Sequence, residues 1–300
     1  MVMDHVFALH RDCVNRAYRH GGYFEFNVSD PKPRSIHKAC VRDRLLHHAI
    51  YRALYPYFDK RFTADSFSCR NGKGTHRALN RFRVFSYKVS KNNTRQCWVL
   101  KCDVRKFFAN IDHSVLLGIL SRYLDGNTLL LCERIIGSFH TVRGKGLPLG
   151  NLTSQLFSNV YMNEFDQFMK HKLKEKYYIR YADDFVILSE SKNHLGQPLP
   201  VIEGFLEQTL KLYLHEDKVF IKTANSGVDF LGWVHFPDHR VLRTATKRRM
   251  LKRIRENPMP ETLHSYLGLL KHGNARKLET ELFDYYLLAT TNLSDDRSIS

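Results

Sequence analysis

The apolar positions of this chain recur with two different periods. A spacing of three to four residues, which is typical of helices, runs through residues 41–54, 112–124, 156–172 and 206–214. Short runs rich in aromatic and β-branched residues, which are typical of strands, occupy residues 98–103, 178–188 and 228–234. The last of these runs contains Gly232, which indicates a bend or a close backbone approach. Near the end of the chain, residues 262–270 and 277–288 are further helical candidates.

Two adjacent aspartates, Asp183 and Asp184, interrupt the strand-like run at 178–188. We predict two strands joined by a tight turn at 182–184, with both carboxylates at the tip of a buried hairpin. Carboxylates in that position repel each other and are costly to desolvate unless a cation neutralises them. Their hard oxygen atoms suit Mg²⁺. The alternative is a solvated turn that carries two aspartates without a function.

Two other segments could bring the chain close to a ligand. Asp103 follows the apolar strand at its end, where functional carboxylates often lie, although a loop or helix-capping role is equally open for this residue taken alone. Pro148 and Gly150 predict a tight turn before the helix at 156–172, where the backbone and small side chains can approach a ligand closely.

The chain carries an excess of positive charge. Its 300 residues include 47 Lys and Arg against 30 Asp and Glu, and the net charge of +17 favours a polyanionic partner, most commonly nucleic acid. An anionic membrane surface is the alternative, but no basic amphipathic segment has a clear lipid-facing side. The sequence has no long apolar run and no signal peptide, so we expect a cytoplasmic protein without membrane contact. The six cysteines show no CxxC spacing and predict neither a disulfide framework nor a zinc site.

Much of the positive charge lies in two segments without acidic residues. Residues 66–101 contain nine Lys and Arg, and within them a lysine lies between two glycines, in a turn that suits the approach of phosphate. The spacing of a Walker A loop is absent. Residues 240–255 contain eight Lys and Arg, and this density favours contacts with a nucleic-acid backbone. For both segments, solvation of a charged face is the alternative.

Taken together, these residues predict nucleotidyl transfer. Asp103, Asp183 and Asp184 could hold two Mg²⁺ ions that activate an attacking 3′-hydroxyl and stabilise a leaving pyrophosphate. The basic loop would bind the incoming triphosphate, and the basic helices would bind a duplex.

The motifs and their order resemble the bacterial, group II intron-like lineage of reverse transcriptases over residues 34–234. The segments that carry the resemblance are 34–54, 68–79, 100–113, 146–166, 181–184, 210–218 and 230–232. The resemblance implies an α+β right-hand polymerase. We expect fingers at 1–95, a palm at 96–238 and a basic helical thumb at 239–300. The palm would have an antiparallel sheet backed by helices, with a fingers–palm insertion around 114–150. After the thumb we expect no RNase H, maturase or endonuclease domain, so the polymerase would act with partners.

The resemblance also implies roles for single residues. Asp103, Asp183 and Asp184 would be metal ligands, together with the Val104 carbonyl, for two Mg²⁺ ions that Mn²⁺ could replace. Lys218 would protonate pyrophosphate as a general acid, unless it is only a solvated helix end. Phe108 would exclude the ribose 2′-hydroxyl, unless it packs in the core. The other candidates would bind ligands: Arg70, Lys73, Arg77, Leu149 and Gly150 the nucleotide, and Arg243, Lys247, Arg248 and Lys252 the nucleic acid.

One segment departs from most reverse transcriptases. Where they place Gln-Gly before Ser-Pro, this chain has Leu149 and Gly150 before Ser154 and Gln155. The pattern resembles the reverse transcriptases of diversity-generating retroelements of bacteria and phages. These enzymes copy a template-repeat RNA into cDNA with frequent errors at template adenines, and the cDNA diversifies a target gene. The resemblance implies four partners: template RNA, the RNA–cDNA duplex, dNTPs and a small basic pentameric accessory protein.

A physical reason links position 149 to fidelity. A glutamine there could donate hydrogen bonds near the incoming nucleotide, and Leu149 cannot. The loss of a polar contact worth about 0.5–1.5 kcal/mol would loosen nucleotide selection by up to roughly tenfold.

Two further interpretations stay open. The chain could be another bacterial reverse transcriptase, of the retron, group II-like or abortive-infection type, although Leu149 and Gln155 speak against it. A non-catalytic RNA-binding protein with a polymerase-derived fold is the alternative from a different class, and the presence of all three aspartates argues against it.

Overall fold

The computed structural model describes residues 2–29 and 33–297, with side chains over 3–29 and 33–290. The other residues, which fall in the predicted fingers and at the end of the predicted thumb, lie outside the described part of the chain. The helices are α1 Val2–Val14, α2 Val41–Asp59, α3 Thr75–Val89, α4 Phe107–Asn110, α5 His113–Ser121, α6 Gly126–Ile136, α7 Leu152–Gln167, α8 Lys192–Gly196, α9 Leu199–Leu210, α10 Thr244–Glu256, α11 Pro260–Leu270 and α12 Arg276–Arg297.

The strands form three sheets in the described part of the chain. They are β1 Tyr23–Val28, β2 Arg34–Ala39, β3 Trp98–Asp103, β4 Tyr178–Tyr181, β5 Asp184–Ser189, β6 Phe220–Thr223, β7 Val228–Phe230, β8 Trp233–His235 and β9 Arg240–Leu242. Strands β1 and β2 form an antiparallel hairpin, and a four-stranded sheet has the order β4-β5-β3-β6. The third sheet is an antiparallel meander of β7, β8 and β9.

The first of two compact units comprises the residues up to Ala78, Leu100–Ile187 and Lys192–Ile221. Helix α7 is its centre, since it packs against α2, α5 and α9 and is buried on most of its surface, including polar residues such as Asn159 and Asp166. Phe165 of α7 contacts the sheet, with its ring 6.0 Å from Tyr178 of β4 and 5.0 Å from Phe185 of β5. The sheet that carries the three aspartates is thus backed by a helix.

The second unit comprises Leu79–Val99, Leu188–Ser191 and the residues from Lys222 onward. Helices α10, α11 and α12 pack against one another in it. The ring of Phe82 stacks on Phe230 of β7 at 5.7 Å, and Trp233 of β8 is buried against Gly273. The predicted limits of fingers, palm and thumb stay predictions.

Several elements differ from the sequence prediction: α2 continues to Asp59, α5 ends at Ser121 rather than at residue 124, and α12 continues to Arg297. The helix predicted over 156–172 begins at Leu152 and passes into a π-helical turn at Phe168–Lys172. The helix predicted to reach residue 214 ends at Leu210, because Lys211 takes the left-handed conformation with φ of 53°. The run at 228–234 is a hairpin rather than one bent strand, because Leu231 and Gly232 both have positive φ, as a two-residue turn between twisted strands requires.

Candidate active site

The hairpin of β4 and β5 places Asp183 at its tip and Asp184 at the first position of β5. The strands pair in register from Tyr178 opposite Ile187 to Tyr181 opposite Asp184. Ala182 closes the turn with φ of 55°, a conformation that few residues other than glycine adopt. The two strands and tight turn predicted from the sequence are therefore confirmed.

Asp103 joins this pair because β3 lies beside β5 in the sheet. Asp103 is the last residue of β3, and the next backbone amide, of Val104, donates a 3.0 Å hydrogen bond to the carbonyl of Asp183. The structure therefore brings the three predicted carboxylates to one edge of one sheet. Val104, whose carbonyl the family resemblance implies as a metal ligand, lies directly beside the turn.

Two lysines accompany the three carboxylates. Nζ of Lys218 lies 2.7 Å from Oδ1 of Asp103, and Nζ of Lys101 lies 3.3 Å from Oδ1 of Asp184. Lys101 did not appear among the residues predicted from the sequence. The period of a strand could have revealed it, since a residue two positions before Asp103 on β3 lies on the same face as Asp103.

The pKa values of Asp183 and Asp184 reflect the burial of both side chains. Burial, followed by repulsion from Asp184, raises the pKa of Asp183 to about 6. Burial also raises the pKa of Asp184, and the positive charge of Lys101 opposes this rise. Both carboxyl groups hold a proton more readily than ordinary aspartates, and a bound cation would favour their ionised forms.

The donor chemistry fits a hard divalent cation such as Mg²⁺. All three side chains offer carboxylate oxygens, and Oδ1 of Asp184 is buried without a hydrogen bond although the Lys101 ammonium lies near it. Within the described residues, no three Asp, Glu, His or Cys side chains are already gathered around one cation position. The ammonium groups of Lys101 and Lys218 stand beside the carboxylates instead.

Arg180 of β4 links the hairpin to α7 and to Ser66. It was not among the site residues predicted from the sequence. Its buried guanidinium donates two hydrogen bonds of 2.7 Å to the carboxylate of Asp166 on α7, and one of 3.0 Å to Ser66. A further bond of 3.0 Å reaches the carbonyl of Ala182 in the turn. An arginine within an apolar run was the available signal, because a buried arginine needs an acidic partner.

The three triphosphate candidates differ in their surroundings. Arg70 has a side chain only 5% exposed, and it is committed to Asp59 at 2.7 Å and to the carbonyls of Thr63 and Ser66. Lys73 donates to the carbonyl of Ala64 at 2.7 Å, and burial, followed by the charge of Arg70, lowers its pKa.

Arg77, by contrast, is exposed on α3. Positive φ at Gly72 and Gly74 gives the predicted glycine turn its shape. The geometry favours Arg77 and Lys73 over Arg70 as ligands for a phosphate.

The turn before α7 is held by backbone bonds to β2. The carbonyl of Leu149 accepts a 3.0 Å bond from the amide of His37, and the side-chain amide of Asn151 donates to the His37 carbonyl at 2.8 Å. Gly150 has φ of 100°, and a Cβ there would lie 2.7 Å from a methyl group of Ile36. Gly150 therefore serves both the turn and the close approach to β2.

The other predicted residues near the site are partly accessible. Phe108 is half-buried, whereas its neighbour Phe107 is buried, so Phe108 is not simply a core residue. Gln155 is half-buried in the first turn of α7.

Acidic residues partly neutralise the positive charge at the start of helix α10 and along it. Arg243 pairs with Asp229, Lys247 with Glu281 at 2.8 Å, and Lys252 with Glu256 at 3.6 Å. Arg248 is exposed. Contacts of these four residues with nucleic acid stay a prediction.

Comparison with known proteins identifies the family. A family model described as reverse transcriptase (RNA-dependent DNA polymerase) matches residues 29–235. The chain belongs to the reverse transcriptase family.

Two curated relatives show which proteins this reverse transcriptase resembles in sequence. Protein YkfC of Escherichia coli (strain K12) is 26% identical over 258 residues, which cover 73% of this chain and 66% of that protein. The group II intron-encoded protein LtrA of Lactococcus lactis subsp. cremoris is 23% identical over 288 residues, which cover 73% of this chain and 46% of LtrA. The reverse transcriptase chain thus spans from about half to two thirds of the length of these relatives.

Solved structures show the fold of the reverse transcriptase. Apo telomerase from Candida tropicalis superposes with a TM-score of 0.58 at 11% identity, covering 94% of this chain and 59% of that one. Telomerase from Candida albicans superposes with a TM-score of 0.55 at 12% identity, covering 83% and 52%. The prediction of an α+β right-hand polymerase is confirmed. Among the described helices of this reverse transcriptase, none is long and apolar enough to span a membrane.

Proposed function

We propose that this reverse transcriptase is the polymerase of a diversity-generating retroelement. It would copy a template-repeat RNA into cDNA with frequent errors at template adenines. The observation that carries the polymerase activity is the meeting of Asp103 with Asp183 and Asp184 at the edge of one sheet, in a chain of this family. The residues that favour the mutagenic type are Leu149 and Gln155.

The catalytic chemistry would follow the two-metal scheme. Asp103, Asp183 and Asp184, with the Val104 carbonyl, would hold two Mg²⁺ ions, for which Mn²⁺ can substitute. When bound, these ions activate the primer 3′-hydroxyl and stabilise the leaving pyrophosphate. The raised pKa of Asp183 and the buried, unbonded oxygen of Asp184 support a cation at this place.

The side chains around the carboxylates would bind and select the nucleotide. Lys73 and Arg77 would hold the triphosphate, because a glycine turn beside two cations suits an anion. The half-buried ring of Phe108 would exclude the 2′-hydroxyl of a ribonucleotide. Lys218 would leave Asp103 and donate a proton to pyrophosphate, which its 40% exposed side chain permits.

Fidelity would depend on the side chain at position 149. The turn of Leu149 and Gly150 is fixed by main-chain bonds to β2, so the backbone does not depend on the identity of residue 149. Leucine offers no hydrogen bond to a nucleotide or a template base, and mismatched pairs would be rejected less strongly. Template RNA and the RNA–cDNA duplex would contact the basic helix α10, and a small basic pentameric protein would assist.

A group II-like reverse transcriptase is the second candidate, and the similarity to LtrA favours it. Such an enzyme would make accurate cDNA or spread its errors evenly over the four template bases. The error spectrum therefore separates the two candidates.

The test is cDNA synthesis by the purified protein, with Mg²⁺ and dNTPs, on a primed RNA template of mixed sequence. We expect errors concentrated at template adenines, and a lower adenine error rate for Leu149→Gln. The control is Asp183→Asn with Asp184→Asn, which we expect to make no cDNA. Evenly spread errors would overturn the mutagenic type, and cDNA from the double variant would overturn the two-metal site. If the wild type alone is inactive, the same assay with the accessory protein added decides the question.

A further inference from the structure

Two tyrosines and two arginines form one surface at the C-terminal ends of α2 and α5. The guanidinium of Arg61 lies over the ring of Tyr57, with its Cζ 3.6 Å from the ring centroid, and that of Arg122 lies over Tyr123 at 5.6 Å. The two rings meet edge to face at 6.3 Å, and both tyrosines are 37% exposed. We call these four residues the tyrosine–arginine surface.

The core beneath this surface holds its rings in place. The buried ring of Phe58 contacts Tyr57 at 5.2 Å and Tyr123 at 5.7 Å, edge to face in both cases. Nη1 of Arg61 donates a 2.9 Å hydrogen bond to the carbonyl of Tyr57. Side chains that are fixed in this way lose little conformational freedom when a ligand binds, and such preorganisation strengthens binding.

The tyrosine–arginine surface and the sheet contact different sides of α7. Oε1 of Glu164 lies 2.7 Å from the Arg122 guanidinium, and the side-chain amide of Gln167 donates to the carbonyl of Arg61 at 3.1 Å. These two residues of α7 are three positions apart and share one side of the helix. Phe165, which contacts the sheet, points about 100° away from the first and about 160° away from the second. The surface is therefore separate from the sheet edge that carries the aspartates.

Positive charge surrounds this surface. Arg52, Lys60 and Arg61 are exposed, and none of them forms an ion pair within the part of the chain that the structure describes. Asp59, the acidic residue at the end of α2, is already paired with Arg70 at 2.7 Å. Unpaired cations on an exposed face attract a polyanion.

We propose that the tyrosine–arginine surface binds single-stranded RNA outside the catalytic site. The exposed rings and the outer face of the Arg61 guanidinium would stack with unpaired bases, and the arginines would contact phosphates. Bases within a duplex stack on one another and offer no free ring face, so an unpaired segment of the template RNA is the ligand that fits. This site is additional to those of the proposed function, which places RNA only at the carboxylates and along α10.

The experiment compares two RNA templates that form the same duplex with one primer. One template ends close to the duplex, and the other continues as an unpaired strand at both ends. Fluorescence anisotropy measures the Kd of each complex with the full chain, and single-turnover extension measures the rate of chemistry.

For Arg61→Gln with Arg122→Gln we expect about tenfold weaker binding of the extended template, because base stacking is lost. The dependence of log Kd on log salt should become shallower by about 1, since up to two phosphate contacts disappear. The Kd of the short template and the rate of extension should stay within about twofold of wild type, because distant exposed charges are screened.

Three further variants separate the kinds of contact. Arg61→Lys keeps the charge but lacks the planar guanidinium, so it should weaken binding of the extended template and keep the salt dependence. Tyr57→Phe with Tyr123→Phe keeps both rings and should bind as wild type does. The control is Arg19→Gln with Lys174→Gln, which removes two exposed charges that contact no aromatic ring among the described residues. It should change the Kd of the extended template by less than about twofold.

Three results would overturn the RNA-binding surface. They are unchanged binding of the extended template by Arg61→Gln with Arg122→Gln, an equal loss in the control, and an equal loss for both templates. If urea denaturation shows that the double variant is not folded, Arg61→Lys decides, and wild-type affinity in that variant counts against the surface. Anisotropy requires no catalysis, so a wild type that binds the extended template through this surface but makes no cDNA would contradict the proposed function and not the surface.

Discussion

Lys218 donates a hydrogen bond of 2.7 Å to Oδ1 of Asp103, from a position 115 residues further along the chain. The bond joins a residue that the sequence analysis singled out as a proton donor to one that it singled out as a metal ligand. In the proposed mechanism, this ammonium would neutralise Asp103 before the ions bind and would donate a proton to pyrophosphate after it leaves the carboxylate.

Replacement of Lys218 should therefore slow chemistry more than nucleotide binding. We expect Lys218→Ala to lower the single-turnover rate of primer extension by about a hundredfold, the lower range for a general acid, with a small change in KM for dNTP. Lys218→Arg keeps the positive charge but cannot release a proton at neutral pH, so it should remain slow. Full activity of Lys218→Arg would reduce the role of Lys218 to its charge alone.

The buried pair of Arg180 and Asp166 should be a strong determinant of stability. Asp166→Asn leaves the guanidinium buried without a carboxylate, and we expect a loss of about 3–5 kcal/mol in the free energy of unfolding. Urea denaturation measures it. The double variant Arg180→Met with Asp166→Leu should lose less free energy of unfolding than the sum of the losses in the two single variants. The control is Arg122→Met, which breaks a half-exposed pair with Glu164 and should cost about 1 kcal/mol or less.

Gly273 should tolerate no side chain. A Cβ at this position would lie 2.0 Å from Cζ3 of the buried Trp233, and such overpacking costs about 1–3 kcal/mol or more. Gly268 in α11 is the matched control, because a Cβ there meets nothing within 4 Å and alanine favours a helix by about 1 kcal/mol. Chemical denaturation should show Gly273→Ala less stable and Gly268→Ala at least as stable as wild type. Equal effects would show that the space beside Trp233 is not tight.

His235 should make the protein sensitive to acid. Burial, together with the charge of Arg240, lowers the pKa of His235 to about 3, and its ring lies 4.4 Å from that of Phe82. Between about pH 6.5 and 3 the unfolded chain binds a proton at this position that the folded chain does not, so stability falls as the pH falls.

Between pH 7 and pH 5, the protonation of His235 in the unfolded chain should lower the free energy of unfolding by about 2 kcal/mol. His235→Phe should remove this part of the pH dependence, as measured by urea denaturation at several pH values. The control is His264→Gln, which changes an exposed histidine and should leave the dependence as in wild type. If the free energy of unfolding of His235→Phe falls with decreasing pH as steeply as that of the wild type, the role of His235 in acid sensitivity is contradicted.

The hairpin of the aspartates was predictable because its signal is local. Aromatic and β-branched residues flank two carboxylates, and strand pairing between neighbouring segments follows from that pattern alone. Asp103 was predictable for a similar reason, since an apolar strand simply ends there. The family resemblance then supplied the right-hand fold, which the structural likeness to telomerases confirms.

The partners of Lys101 and Arg180 were not predictable from local pattern. Lys101 and Asp184 meet because β3 and β5 are neighbours in the sheet, and Arg180 meets Asp166 because α7 packs on that sheet. The apolar runs around Lys101 and Arg180 signal that both side chains are buried, but a sequence does not reveal which acidic residue each of them meets. The left-handed φ of Leu231 was likewise hidden, because leucine has no preference for that conformation.

The backbone bonds that hold Leu149 have an evolutionary consequence. His37 and Asn151 fix the turn through main-chain atoms at 37 and 149 and through the side chain of Asn151, none of which changes when the residue at 149 is exchanged. A single base change converts some leucine codons into glutamine codons. Under the proposed role of residue 149 in fidelity, selection would move the error rate of the polymerase up or down by one substitution at little cost to the folded state, and mutability would itself be a trait that can be inherited.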